Sequence, residues 1–242
     1  MTSKTVTADD KWLYKVGGVA ALVLGVTFIV TILMYIYVGK LPSGGAEWLK
    51  YIDGKKTAWS VILVLSVLTD LLFVPVALSL YAALREVHRG VMLLGTSLIG
   101  LFLVLDLSVN WSNYMSLISL GGSYSAATSE AQRAAYATAA NYPSAILQSR
   151  LESFYSIGIL SLAILLISIV MLNGAFGRRT AYLGIATGVL GIISIGGWSV
   201  TVLLNTVLAA IWILLVARKL YFHYAAEPLS APEAEISVAV SS

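Results

Sequence analysis

The sequence contains no cysteine, only two histidines and few charges, and each shortage removes a class of chemistry. Without cysteine there can be no disulfide, thiolate metal site, cysteine-held iron–sulfur cluster or cysteine nucleophile. This lack does not identify a compartment. His88 and His223 both fall in boundary segments between apolar runs, so neither an intramembrane haem axial pair nor a His-rich zinc or di-iron site is available. No H-E-x-x-H occurs, no Gly-x-Ser-x-Gly is joined to a membrane histidine, and no glycine-rich phosphate loop ends in Lys-Ser or Lys-Thr. Lysine is missing from the interior of every long apolar run, which leaves a retinal Schiff base without an anchor. No catalytic residue, cofactor or metal is therefore assigned, and the balance leans away from an enzyme.

Charged residues make up 11% of the chain, against about 25% in soluble domains. Hydrophobic residues make up 59%, and the mean hydropathy is +0.88. A surface of this kind needs lipid as its solvent, and no stretch between the apolar runs is long enough to build a soluble core. The net charge of +3 does not point to nucleic acid, because the basic residues are scattered among short loops instead of forming a stripe.

Crossing about 30 Å of hydrocarbon at about 1.5 Å per residue takes about 20 residues. Five apolar runs meet that length: Val16–Val38, Trp59–Leu84, Val91–Leu120, Phe154–Leu172 and Ala181–Ala217. The last is too long for one span. Gly196 and Gly197, beside Trp198, divide it into spans near 181–197 and 200–217. The expectation is an all-α, polytopic transmembrane bundle of about six helices over 16–222. A cytoplasmic segment at 1–15 precedes it and a flexible cytoplasmic tail at 223–242 follows. The first run reads as an uncleaved signal anchor, since it exceeds a signal-peptide core and follows Lys4, Lys11 and Lys15.

Orientation follows the positive-inside rule. Arg85, Arg89, Arg178 and Arg179 sit in short turns, where the rule is most reliable, and put both termini in the cytoplasm of a multi-pass cell-membrane protein. Two larger outer loops carry their own structure. Gly45–Ile52 reads as a short interfacial helix. Ser129 with Gln132 is a capping-box pattern that starts an alanine-rich helix ending near Asn141, ahead of Pro143. That second helix lies on the membrane surface or acts as a lid, and the sequence leaves both open.

Only Asp70 and Asp106 are expected to bring charge into the spans, and a carboxylate at membrane depth costs several kcal/mol unless it is protonated, paired or hydrated. Counted from Trp59, Asp70 falls near the midplane. Pro75 should kink the helix and free the Leu71 carbonyl beside it. Asp106, Asn110 and Asn113 are spaced i, i+4 and i+7 and share one face of an α-helix, in the outer half of their span. Arg150 is the expected partner of Asp106, with Glu152 competing for it. These groups, flanked by Trp111 and Tyr114, are expected to form an outward-facing polar pocket.

The stretch F-V-P-V-A-L-S-L-Y-A-A-L-R, from Phe73 to Arg85, resembles a segment of small prokaryotic six-helix membrane families of unknown function. Phe154–Ile192 resembles the same group, with its turn F-G-R-R-T followed by Y-L-G-I-A-T-G-V-L-G. The resemblance covers about half the chain. It implies a prokaryotic membrane fold and supplies no functional residues. The functional expectation is a protein that binds or transports a small solute, proton or lipid-like molecule, with membrane lipids as its surroundings and no nucleic-acid partner. Two alternatives stay open. One is an accessory or structural subunit of a membrane complex or homo-oligomer, in which the polar residues only fasten helices. The other is a lipid-modifying enzyme that uses Asp and Tyr alone.

Overall fold

The computed structural model describes residues 8–196 and 199–224, and every regular element among them is helical. In chain order these are α1 (Ala8–Val38), α2 (Gly45–Asp53), α3 (Lys56–Leu105), α4 (Ser112–Ala126), α5 (Glu130–Leu147), α6 (Arg150–Ser153), α7 (Ile159–Met171), α8 (Arg178–Ser194) and α9 (Ser199–Lys219). Three π-helical segments join or extend them: Asp106–Trp111, Phe154–Gly158 and Leu220–Tyr224. Gly197 and Trp198, the first residues and the tail beyond Tyr224 lie outside the described residues.

Four helical stretches are long and apolar enough to cross a bilayer: Asp10–Val38, Lys56–Ala126, Arg150–Met171 and Val200–Phe222. Their outward faces are apolar, with Leu33, Val64 and Val104 each 60–66% exposed. The longest stretch is a hairpin. At His88 the backbone leaves the helical region, with φ −158° and ψ 86°. The His88 ring then accepts the Val91 N–H at Nδ1, 3.2 Å away, which supplies a partner for one of the free donors opening the second arm. The arms run back along each other: Trp59 stacks on Tyr114 at 5.1 Å, and Phe73 meets Phe102 edge-on at 5.9 Å. The turn is therefore a single-residue break at His88, where the sequence suggested a loop from Arg85 to Gly90. Pro75 does not interrupt α3, whose remaining backbone angles are helical.

Around this hairpin, α1 packs on α3 and α9, α7 packs on α3 and α8, and α8 packs on α9. The glycines of α8 face its neighbour within the same chain. A Cβ at Gly184 would overlap the Ser168 hydroxyl of α7, and one at Gly188 would lie 2.7 Å from Leu165 Cβ. Small residues here allow the two helix backbones to approach closely.

The opposite end of the hairpin is covered by α2 and α5. Ser129 Oγ accepts the Gln132 N–H at 3.2 Å, as its cap position requires, and α5 then runs through Pro143 to Leu147. The expected stop before Pro143 does not occur. The segment is held by docking: Gly45 N–H donates to Asn141 Oδ1 at 3.1 Å and Gly44 N–H to Ser144 Oγ at 3.2 Å. Those contacts offset the one helical hydrogen bond that proline cannot make.

Two apolar clusters result. The larger, which includes Leu24, Phe73, Leu80, Phe102, Ile164, Ile167 and Trp212, fills the centre and the His88 end. The smaller is rich in aromatic rings and lies beneath α2 and α5, with Trp48, Trp59, Trp111 and Tyr114 at its heart. The seam between them holds the buried acids.

Candidate functional site

Asp70 and Asp106 are each 4% exposed and belong to opposite arms of the hairpin. They are equidistant in sequence from His88, so an antiparallel hairpin closed there brings them to one level. Their carboxyl groups are near enough to interact with each other. Trp111 Nε1 donates to Asp70 Oδ2 at 2.8 Å, and Asn110 Nδ2 donates to Asp106 Oδ1 at 3.1 Å. Among the described residues, no Lys, Arg or His nitrogen comes within the 4.0 Å of an ion pair with either carboxyl.

This combination restricts the chemistry. An ionised carboxylate only accepts hydrogen bonds, so a direct bond between the two would require a proton on one. The indole and carboxamide donors orient the pair without neutralising it. What the site can hold is one exchangeable proton between two oxygens, in surroundings that exclude bulk water. The pair has too few ligands to read as a resident metal centre: among the described residues, no group of three or more His, Cys, Asp or Glu is arranged to hold an ion.

The π-helical segment Asp106–Trp111 explains which side chains converge. A widened turn shifts the register, so Asp106, Asn110 and Trp111 are all buried together. In an α-helix Asn113 would have taken the place beside Asp106 and Asn110. Instead its Nδ2 donates to the Val109 carbonyl at 2.5 Å, and the residue lines an open groove of about 540 Å³ with Ser116, Ser119, Tyr142 and Pro143. Arg150 is exposed and does not reach Asp106. The expected outward-facing pocket of Asp106, Asn110, Asn113 and Arg150 is thus divided into an enclosed acid pair and a separate surface groove.

Glu152 stays with the pair in a looser sense. It is half-buried at the start of α6, its N–H donates to Ser149 Oγ at 3.1 Å, and its carboxylate is close enough to interact electrostatically with Asp106. The second π-helical segment, Phe154–Gly158, follows immediately and contacts the first.

An aromatic wall separates the acids from the α2–α5 end. Trp48 meets Trp59 edge-on at 5.4 Å and Tyr114 at 5.9 Å, Trp111 leans on Tyr114 at 5.5 Å, and Tyr35 meets Trp59 edge-on at 6.1 Å. Such pairs contribute about 0.5–1.5 kcal/mol each beyond their burial. Asn110 Oδ1 and Trp48 Nε1 are buried beside this wall without a protein partner. Further out, Tyr51 donates from its hydroxyl to the Val38 carbonyl at 2.9 Å, and burial pushes its phenol above the ordinary value.

The sequence points to Asp70, Asp106 and Asn110, which the structure brings together. It gives Trp111 only a flanking place and does not assign Trp48, Trp59 or Tyr35 to the site. The i+5 spacing from Asp106 to Trp111 is the available signal, and it is invisible to a search at helical periods of three and four. No protein-family model matches this chain, and no curated protein or solved structure matches it either.

Proposed function

We propose that this chain is a six-span cell-membrane protein that takes up and releases a proton at the Asp70–Asp106 pair, and that this exchange is coupled to binding or moving a small solute. The observation that carries the reading is the pair itself: two buried carboxyls on facing arms of one hairpin, each held by an uncharged donor, with no cationic partner among the described residues. A pair needed only to fasten two helices could be replaced by neutral polar or small residues at lower cost, as at the α7–α8 contact. Two adjoining π-helical segments support the assignment, because such widened turns recur at functional sites.

The six crossings are α1, the two arms of the hairpin, the helix ending in α7, α8 and α9. The shortest, α8, has 17 residues, which is about 26 Å of helix and enough for a thin or locally compressed bilayer. An even number returns both termini to the side bearing Arg85, Arg89, Arg178 and Arg179, the cytoplasmic side by charge.

The test is proton flux into liposomes containing the purified chain, with a pH-sensitive dye inside and an imposed membrane potential, across a panel of small solutes. Wild type is expected to show solute-dependent flux, and Asp70→Asn and Asp106→Asn are each expected to reduce it to the empty-vesicle level. Asparagine keeps a hydrogen-bonding side chain but cannot exchange the proton. Flux that survives both substitutions, or is absent from a folded wild type across the panel, would return the pair to a structural role.

A further inference from the structure

The second concave site lies at the far end of the hairpin. A cavity of about 450 Å³ is lined by Tyr81, Arg85, Glu86 and Arg89, where the two arms meet at His88. Its size is within the range of small-ligand sites, about 300–1,000 Å³. Two guanidinium groups face one carboxylate, and Arg85 Nε is 3.4 Å from Glu86 Oε1. That contact leaves one positive charge in excess. Arg89 is exposed and, among the described residues, makes no ion pair.

The surface leading away from this cavity is apolar. Val74, Leu78, Tyr81 and Arg85 follow the spacing of one helix face, and the first two are 43% and 47% exposed. On the second arm, Leu93 lies one turn after Arg89 and is 57% exposed. Arg178 and Arg179 are exposed at the same end of the molecule, where Gly174 packs against Leu84. Exposed apolar side chains thus share the helix face of Tyr81 and Arg85 on one arm and lie one turn from Arg89 on the other. One class of ligand matches both halves: a phosphodiester headgroup with acyl chains attached.

We infer that the Tyr81–Arg85–Arg89 cavity binds the headgroup of one anionic phospholipid, whose chains lie along Val74, Leu78 and Leu93. Arginine is suited to this role because its planar fork holds two phosphate oxygens at once, and Tyr81 supplies a further hydroxyl donor. Glu86 orients Arg85 and disfavours a second anion. The inference rests on reading the chain as membrane-spanning and is independent of the Asp70–Asp106 pair.

The experiment is native mass spectrometry of the full chain, gently solubilised with equal amounts of phosphatidylglycerol and phosphatidylcholine bearing identical acyl chains. Wild type is expected to retain one phosphatidylglycerol in preference. The preference should fall about fivefold for each of Arg85→Gln and Arg89→Gln, the effect of one basic residue at an anionic surface. Arg133→Gln, at the opposite end, and Asp106→Asn are expected to keep it, which separates failure here from failure of the proton reading. Arg89→Gln alone carries the test if Arg85→Gln does not fold, since Arg89 is exposed and makes no ion pair among the described residues. Equal retention of both lipids by wild type would overturn the inference, as would a preference unchanged in Arg89→Gln. Equal thermal stabilisation by inorganic phosphate without lipid would reassign the cavity to a soluble anion and also overturn it.

Discussion

Two helix–helix contacts in this molecule solve the same problem with opposite chemistry. Where α7 meets α8, Gly184, Gly188 and Gly191 let the backbones approach, and their neighbours are all uncharged: serine hydroxyls, aliphatic carbons, and the Trp212 indole and Asn205 carboxamide of α9. Where the arms of the hairpin meet, the chain places two aspartates, an asparagine and a tryptophan N–H. Both contacts are buried and both join helices with apolar outer faces. The first shows that this bundle can be fastened without any charge. Burying a carboxyl is costly and a cheaper solution operates in the same chain, which is the contrast on which the proposed role of the acids rests.

That contrast can be broken or sharpened by substitution. The largest effect is expected from Asp70→Asn, which should abolish proton flux in liposomes while shifting the melting temperature by only a few degrees. Next is Gly184→Leu, which would drive a side chain into Ser168 and the Trp212 indole. It should lose about 3 kcal/mol or more of stability by overpacking, read as a lowered melting temperature or aggregation on solubilisation. Trp111→Phe keeps an aromatic ring, though a smaller one, and removes the donor to Asp70. A loss of about 1.5–3 kcal/mol in thermal or denaturant unfolding, with reduced but measurable flux, is the expected result. Ser129→Ala removes the α5 cap and should cost about 1 kcal/mol with flux unchanged, because that end of α5 is far from the acids. Arg150→Gln should change neither flux nor stability appreciably, since Arg150 is exposed and unpaired with Asp106. A strong Arg150 phenotype would restore the ion pair that the sequence suggested.

How far the sequence reaches differs between these regions for physical reasons. Long apolar runs declare themselves as helices long and apolar enough to cross a bilayer, because the required length follows from the thickness of hydrocarbon. The meeting of Asp70 with Asp106 is not legible in the same way. Depth counted from Trp59 on one arm and from Val91 on the other starts at opposite ends of the hairpin, so the two positions are not compared on one scale. Once the break is confined to His88, equal distances on the two sides bring the acids level. Asn113 departs from its expected place beside Asp106 for another reason: a π-helical turn changes register without leaving a mark in composition. Pro143 reads as a stop because proline disfavours helix locally, yet docking of α2 on α5 outweighs that preference.

If Asp70 and Asp106 share an exchangeable proton, infrared difference spectroscopy of the purified chain should detect it. The expected result is a protonated-carboxyl vibration that shifts in D2O and disappears in the Asp70→Asn, Asp106→Asn double variant. A wild-type spectrum without that vibration, or one in which it persists unchanged in the double variant, would contradict the account.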